Sequence, residues 1–583
     1  MMHTTHPTVL HAFLGSLDTE PGRLALRIVD RTGGARELSR AELFRTMSCV
    51  IAGFQSSGIR PGDRLILALP TSVELITLYL AALFSGVIPI IEPAPKDLLG
   101  NGFSSLRLES FQKRLDAGYA VVPQAVIPES GAPQNLRLLS SEQLISHEPL
   151  DRVVLAAKPE EVAHLQSTSG STGTQRIAAI THGNIVANTS GIGAHIQLRV
   201  DDGLMFWLPL YHDMGLIAVS CALNWGLPMT LTDASNFSRN PIRFWWQLIS
   251  SYRATITAAP NSAYEACARL ASVRRFDNLD LSVCRLAFWG AEPVHAETVR
   301  RFEKVFSSYG YRPEATLPVY GLAEATLAAT IPQVGVPAAV DQPGWEISAS
   351  QPLTSVPREV VGVGMPLAGH QIRVVDDGRE LKRERQIGEI EVAGPSIVER
   401  YWDKINDSKG IPESDGFLRT GDLGYIHDGN LYIIGRKKEI IIIHGRNFVP
   451  AEIEAFAEKL VNNRIPKGIA AFGIFDTTSR TETLHIMIES RVLPVPACAD
   501  LEERLRDALA DEFGIGGSVI HWVSKGTIPK TTSGKIQRFR CKELIACGTE
   551  NPWTAARDGR TDLEFHQPAL FAASPATTET GGS

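Results

Sequence analysis

At 583 residues the chain exceeds what one hydrophobic core organises, so two or more domains are expected. An apolar fraction of 44% with 21% charged residues is that of a globular protein and excludes a disordered or fibrous one. A formal net charge of -7 with scattered Lys and Arg excludes a nucleic-acid partner, and seven cysteines without C-x-x-C spacing exclude a disulfide framework or thiolate zinc site, which fits a reducing cytoplasm.

The N-terminal MMHTTHPTVLHAF has no basic region ahead of an apolar core, so no secretory signal is expected. Residues 64–69 form an apolar run closed by Pro70, followed by helical spacing to Phe84 and a second run over 87–91: strand, helix, strand. The apolar stretch 75–91 is broken by Ser85, Gly86 and Pro89, and reads as a buried helix entering a strand, not as a membrane span. Further runs at 204–208, 254–259, 285–288 and 316–319 are separated by helix-length segments. This alternation predicts an α/β fold, with parallel or mixed sheets and flanking helices in a large N-terminal domain.

The segment 331–363 is rich in Pro, Gly, Ser and Val with weak periodicity, and reads as an insertion or extended loop. After Gly394 short β-type runs follow, ending in LYIIGRKKEIIIIHG, where a glycine and four charged residues interrupt two apolar runs. A hinge is placed there, at 435–439, between a large domain over 1–434 and a small, mobile α+β domain over 440–548. Helical spacing over 450–460 and strand-like runs at 468–474, 483–488 and 519–523 fill the small domain. The tail 549–583, ending ASPATTETGGS, is expected to be disordered.

PLYHDMG, APNSAY, WGAEP and YGLAEAT all begin where an apolar strand stops. Ligands of open α/β sheets bind outside the carboxyl ends of the strands, so segments far apart in sequence converge if these strands are parallel neighbours. Each alone is an ordinary turn; four together point to a site. Upstream, Thr168-Ser169-Gly170-Ser171-Thr172-Gly173-Thr174 is a small, hydroxyl-rich loop whose backbone N–H groups and side chains suit polyphosphate oxygens. It is not G-x-x-x-x-G-K-[ST], and therefore not the P-loop of kinases and GTPases.

That loop, Tyr211-His212-Asp213-Met214-Gly215, Gly290-Ala291-Glu292-Pro293, Tyr320-Gly321-Leu322-Ala323-Glu324, Arg419-Thr420-Gly421-Asp422, Gly435-Arg436-Lys437-Lys438 and Pro529-Lys530-Thr531-Thr532-Ser533-Gly534-Lys535 stand in a fixed order. The order resembles the adenylate-forming superfamily, and YHDMGL, APNSAY, GAEPV, YGYRPE and YGLAEATLA are most similar to its fatty acyl-AMP ligases. The resemblance covers about residues 20 to 545. It implies ATP-dependent activation of a fatty or similarly apolar acid to acyl-AMP, with magnesium. The acyl group then passes to the phosphopantetheine thiol of a holo acyl carrier protein.

By the same resemblance, Thr168 to Thr174 hold the ATP phosphates and Glu324 the magnesium ion, while Gly290, Ala291 and Glu292 line the adenine pocket. Tyr320 and Gly321 lie near the adenine and the acyl phosphate, Asp422 accepts from the ribose hydroxyls, and Arg436 supports the same sugar. Lys535 is the catalytic cation, and Lys438 is the hinge position about which the small domain turns between two half-reactions. His212, which follows the apolar run 204–208, is a candidate catalytic-site residue beside the carboxylate or its acyl chain, where it shapes the acyl site, moves a proton or is a plain turn residue. An acidic acceptor suits a ribose diol, and a carboxylate with phosphate oxygens suits magnesium.

Four positions depart from the family pattern: Gln175-Arg176 replaces Pro-Lys after the phosphate loop, Trp289 replaces an Asn before GAEP, and His444 replaces an Arg after the hinge. Two further outcomes stay open. An acyl-CoA synthetase shares the first half-reaction but uses free CoA, and a silent acyl-adenylate binder would keep the fold alone. In the ligases a segment after YGLAEAT packs on the large domain and restrains the motion that CoA use requires; the length of 331–363 fits it. Trp207, Met214 and Trp289 are the apolar residues expected near an acyl group.

Overall fold

The computed structural model describes residues 6–94, 112–127, 135–155, 157–168, 176–342, 359–376, 378–381, 383–402, 411–412, 414–461, 468–477, 480–490, 495–531 and 535–546. The mixed α/β architecture expected from the alternating pattern is what forms. One sheet has seven strands in the spatial order Thr316–Pro318, Leu286–Trp289, Ile256–Ala259, Leu204–Phe206, Met229–Thr232, Leu24–Val29 and Ala35–Ser39. Its first six strands are mutually parallel, and only the last pairs antiparallel.

The second sheet has six strands: Arg137–Ser140, Tyr119–Val122, Arg64–Leu67, Ile88–Ile91, Val162–Ser167 and Ile177–Thr181. Five run parallel, and the final pair turns back antiparallel around the 168–176 loop. These strands read as continuous apolar runs because helices cover both faces, and a parallel sheet so covered has no wet side. The helix Val73–Phe84 is the extreme case: Ser72 caps its N-terminus by accepting from the Leu75 N–H, and all but one of its twelve residues are buried.

A third, antiparallel sheet orders Arg379–Glu380, Gln371–Asp376, Gly388–Ala393, Leu418–His427 and Asn430–Arg436. Asp422 stands directly opposite Arg436 in its last ladder, so opposite charges meet across two strands.

Beyond residue 440 a separate core forms. Ile453 and Ala457 of the helix Pro450–Val461 meet Ile486 and Ile488 of the strand Thr481–Ser490, with Leu505, Leu509 and Trp522. This sheet has three strands, and its helices include Val495–Phe513, which the sequence reading did not list. A smaller cluster of Val360, Ile387, Tyr425, Tyr432, Ile434 and Val449 straddles residues 435–439. The ion pair Arg269–Glu458, at 3.3 Å, is a second tie between the halves of the chain.

The described ends of the 331–363 segment are both pinned. Val340–Asp341 pairs antiparallel with Val360–Val361, Asp341 accepts from both the Arg385 guanidinium and the Tyr425 hydroxyl, and Glu359 pairs with Arg300. Among the described residues no helix is long and apolar enough to cross a membrane.

Candidate active site

Four parallel neighbours of the seven-stranded sheet end at one cavity of about 1280 Å³. After Leu204–Phe206 the chain turns through Tyr211 and His212 into the helix Asp213–Trp225; after Ile256–Ala259 it enters the helix Asn261–Val273 through Ser262. After Leu286–Trp289 it reaches Ala291, and after Thr316–Pro318 it reaches Tyr320, Gly321 and Glu324. The volume exceeds the ~300–1,000 Å³ usual for one small ligand, and leaves room for two.

Glycine is required at two of these turns. A Cβ at Gly215 would lie 2.3 Å from the Pro209 carbonyl oxygen, and one at Gly321 would lie 1.8 Å from that of Leu327. Non-glycine residues also take left-handed backbone here: Ala291 at φ 63° and Thr326 at φ 70°. The Thr326 turn is stapled from outside. Asn188 donates to the carbonyls of Ala325 and Ala328 at 3.2 and 2.8 Å, and Thr326 donates to the Ser396 carbonyl at 2.7 Å. Glu324 is therefore carried on a turn that its neighbours hold fixed.

The polar end of the cavity is an ordered frame. Tyr320 donates its hydroxyl to Asp422 Oδ2 at 2.6 Å, and Arg436 Nε meets Asp422 Oδ1 at 2.8 Å, so both carboxylate oxygens are engaged. Burial and the facing Asp422 carboxylate push the Tyr320 hydroxyl well above the ordinary phenol range, which keeps it a donor. Burial works against the charge on Arg436, yet Asp422 and Tyr320 hold its pKa above the usual value. Glu324 Oε1 accepts the Tyr401 hydroxyl at 2.8 Å; among the described residues its other oxygen accepts no hydrogen bond.

Thr168 closes the sheet strand before the phosphate-type loop and lines the cavity, with its N–H donating to the Arg176 carbonyl at 2.8 Å across the base of that loop. Ser169, Gly170, Ser171, Thr172, Gly173 and Thr174 lie outside the described residues.

The small domain contributes Lys535, and Lys438 lines the cavity as well. A tight turn holds Lys535: the Thr531 N–H donates to its carbonyl at 2.7 Å, and its own N–H donates to Thr531 Oγ1 at 3.0 Å. Three residues on, half-buried Arg538 donates to Glu454 at 2.8 and 3.0 Å and also to Glu439. Arg538 thereby ties the chain beside Lys535 to the last residue of 435–439 and to the helix Pro450–Val461.

The other end of the cavity is apolar, built from Leu75, Ile91, Ile192, Phe206, Trp207, Met214, Cys221, Trp225 and Phe237 among others. Trp207 and Phe237 stack with centroids 3.5 Å apart. Trp289 does not belong with them: it is fully buried, stacked on Tyr264 at 3.7 Å, and is absent from the cavity wall. The indole follows its strand into the core, where Phe302 also meets it edge-on.

Of Gly290, Ala291 and Glu292, only Ala291 reaches the cavity. Gly290 backs onto Met214 and Val319, and Glu292 accepts the Ser262 N–H and hydroxyl at 2.9 and 3.1 Å, which closes the turn. His444 sits beyond residues 435–439, its N–H donating to Thr481, and does not line the cavity. Tyr401 and Arg538 went unnamed in the sequence reading. Tyr401 lies in an ordinary-looking VERYW and Arg538 in a basic run, so only tertiary contact distinguishes them.

Parallel strand ends around a bipartite cavity, with a small second domain supplying one lysine, define an adenylate-forming fold. The AMP-binding enzyme family matches residues 15–402, and the chain belongs to that family. It is 33% identical to the medium-chain-fatty-acid acyl-carrier-protein ligase JamA of Moorena producens, over 85% of this chain and 87% of that one. To the long-chain-fatty-acid AMP ligase FadD26 of Mycobacterium marinum it is 30% identical, over 88% and 92%. Among solved structures, a fatty acyl-adenylate ligase from a study of the E. coli and L. pneumophila enzymes superposes with a TM-score of 0.81 at 26% identity, covering 94% of this chain and all of that one.

Proposed function

We propose that this chain activates a fatty or similarly apolar carboxylic acid with ATP and magnesium. The product is acyl-AMP, with release of pyrophosphate, and the acyl group then passes to the phosphopantetheine thiol of a holo acyl carrier protein. The observation that carries the reading is that one cavity is lined both by a polar frame and by many apolar side chains, with Ala291, Tyr320, Glu324 and Lys535 all in its lining. The names of JamA and FadD26 support the acid class.

In this reading a carboxylate oxygen bonds the α-phosphorus as the bond to the bridging oxygen of pyrophosphate breaks. No general base is needed, because the acid is already ionised at neutral pH. His212, at the helix start, shapes the acyl end without moving a proton. Two anions must meet, and the Lys535 ammonium offsets their repulsion; at ~4 Å and an effective dielectric of about 20, one such contact contributes roughly 4 kcal/mol. Acting mainly in the transition state, it approaches a thousandfold in rate.

Asp422 accepts from the ribose diol, with Arg436 and Tyr320 fixing its carboxylate. Glu324 would hold magnesium; supporting this, it is a cavity carboxylate with one oxygen uncommitted among the described residues. Magnesium, when bound, neutralises phosphate charge, and one carboxylate with phosphate oxygens suffices to hold it. Thr168 to Thr174 would supply the phosphate cradle.

Rotation about Lys438, in the segment 435–439, would withdraw Lys535 for the second half-reaction. The carrier-protein acceptor draws support from the cluster across that segment: Val360, from the 331–363 segment, is buried with Val449 of the small domain. This contact restrains that rotation without abolishing it, which supports the ligase reading over use of free CoA, for which the motion must be freer. Acid-dependent pyrophosphate release tests the first step, and its absence from the unaltered protein would sink the reading. Acyl transfer to a holo carrier protein tests the second, and efficient acyl-CoA formation would replace it with the CoA-using alternative.

A further inference from the structure

Between residues 398 and 402 the chain touches both halves of the phosphate end. The Val398 N–H donates to the Glu324 carbonyl at 2.9 Å, and the Trp402 N–H donates to the Ile177 carbonyl at 2.6 Å, on the strand that leaves the phosphate-type loop. Tyr401, between them, forms a bridge with Ala178 and donates its hydroxyl to Glu324 Oε1 at 2.8 Å. The exposed Arg176 guanidinium lies 4.9 Å from the centre of the Tyr401 ring, in cation–π range. Arg176 is also the residue whose carbonyl closes the base of the loop onto Thr168. All of Thr168, Arg176, Glu324 and Tyr401 line the cavity.

We infer that Tyr401, with Arg176 stacked on it, is a positioning residue that orients the Glu324 carboxylate toward the metal-bound polyphosphate. A carboxylate on a short side chain turns about its terminal bond, and two oxygens become inequivalent only when one is tied down. Tyr401 ties one, which commits the other to the cavity. The position after the phosphate loop, where Arg176 replaces the family's Lys, gains a purpose from the same geometry: a planar guanidinium stacks on a phenol ring, whereas an ammonium is a point charge.

The inference rests on the ATP and magnesium reading above, and the test separates the two. Binding of an ATP analogue with a methylene group between the α- and β-phosphorus, and of AMP, is measured by calorimetry with and without Mg2+. Tyr401→Phe keeps the ring and its packing but removes the hydroxyl. Losing a hydrogen bond to a charged group predicts roughly tenfold weaker Mg2+-dependent binding of the analogue, with AMP binding and the KM for acid unchanged.

Arg176→Ala weakens analogue binding by roughly fivefold, as expected for an exposed cation–π contact plus a lost phosphate-side charge, and Arg176→Lys restores only part. If Tyr401→Phe leaves the magnesium dependence intact, or weakens AMP and analogue equally, the positioning role is overturned while the ATP reading stands. If the unaltered protein binds no analogue in Mg2+, both fall.

Discussion

The two ends of the cavity are held in opposite ways. At the polar end single atoms are committed: each Asp422 oxygen has its own donor, and Glu324 is tied through one oxygen. At the apolar end packing sets most of the wall: the Trp225 indole donates to the Thr189 carbonyl at 3.0 Å, but Trp207 lies flat on Phe237 and edge-on to Trp245, and shape follows from close packing. The polar end is therefore sensitive to the loss of one atom and the apolar end to a change of volume. Nucleotide recognition and acid selection become separable properties of one cavity.

The largest expected effect tests the polar end. Lys535→Ala lowers acid-dependent pyrophosphate release by about 100- to 1,000-fold, because its charge is needed where two anions meet. Transfer of the acyl group from supplied acyl-AMP to a holo carrier protein should continue if, as proposed, the lysine acts in the first half-reaction alone. An equal loss in both steps would make Lys535 a structural residue.

Asp422→Ala comes next. It leaves the buried Tyr320 hydroxyl without its acceptor and Arg436 without its counter-ion, at a cost of ~2 kcal/mol in nucleotide binding, or about thirtyfold in the KM for ATP. The order of preference among acids of different chain length should not change. A changed order would mean that the polar frame also shapes the acyl wall, and that the two ends are not separable.

Phe237→Ala is the converse. Removing a ring stacked on Trp207 enlarges the apolar end and favours longer acids over shorter ones by roughly tenfold in kcat/KM. The KM for ATP should stay within about twofold. The half-buried ring also contributes packing, so Tm falls, by an amount that ~2 kcal/mol of lost burial would produce.

How far these features can be read without the fold differs between the ends. Strand ends are local: an apolar run that stops at Pro260 or Gly290 announces a turn, and parallel order then gathers such turns at one edge. Asp422 and Arg436 were both singled out in sequence, but that they face each other depends on the register of two strands. Tyr401 becomes visible only through its partners, because 77 residues separate it from Glu324. Trp289 misleads for a simpler reason. Alternation along a strand sends neighbouring side chains to opposite faces, and Trp289, beside a site motif, belongs to the core behind it. The apolar wall was least legible, since packing has no motif.

The smallest effect falls where the two ends touch. Gly290 lies on the turn at the nucleotide side, and a Cβ added to it would stand 2.7 Å from Met214 Cε and 3.0 Å from Val319 Cγ2. Val319 is branched and stiff, but methionine has three rotatable bonds and can yield. Gly290→Ala therefore pushes the Met214 tip toward the acyl side at a cost of about 1 kcal/mol, and raises the KM for acid by roughly fivefold with a smaller change for ATP. Combining it with Met214→Ala should recover the ATP value and leave the chain-length preference shifted toward longer acids. Recovery of neither constant would show that Gly290 is needed for the backbone of its own turn, and that Met214 is no link between the ends.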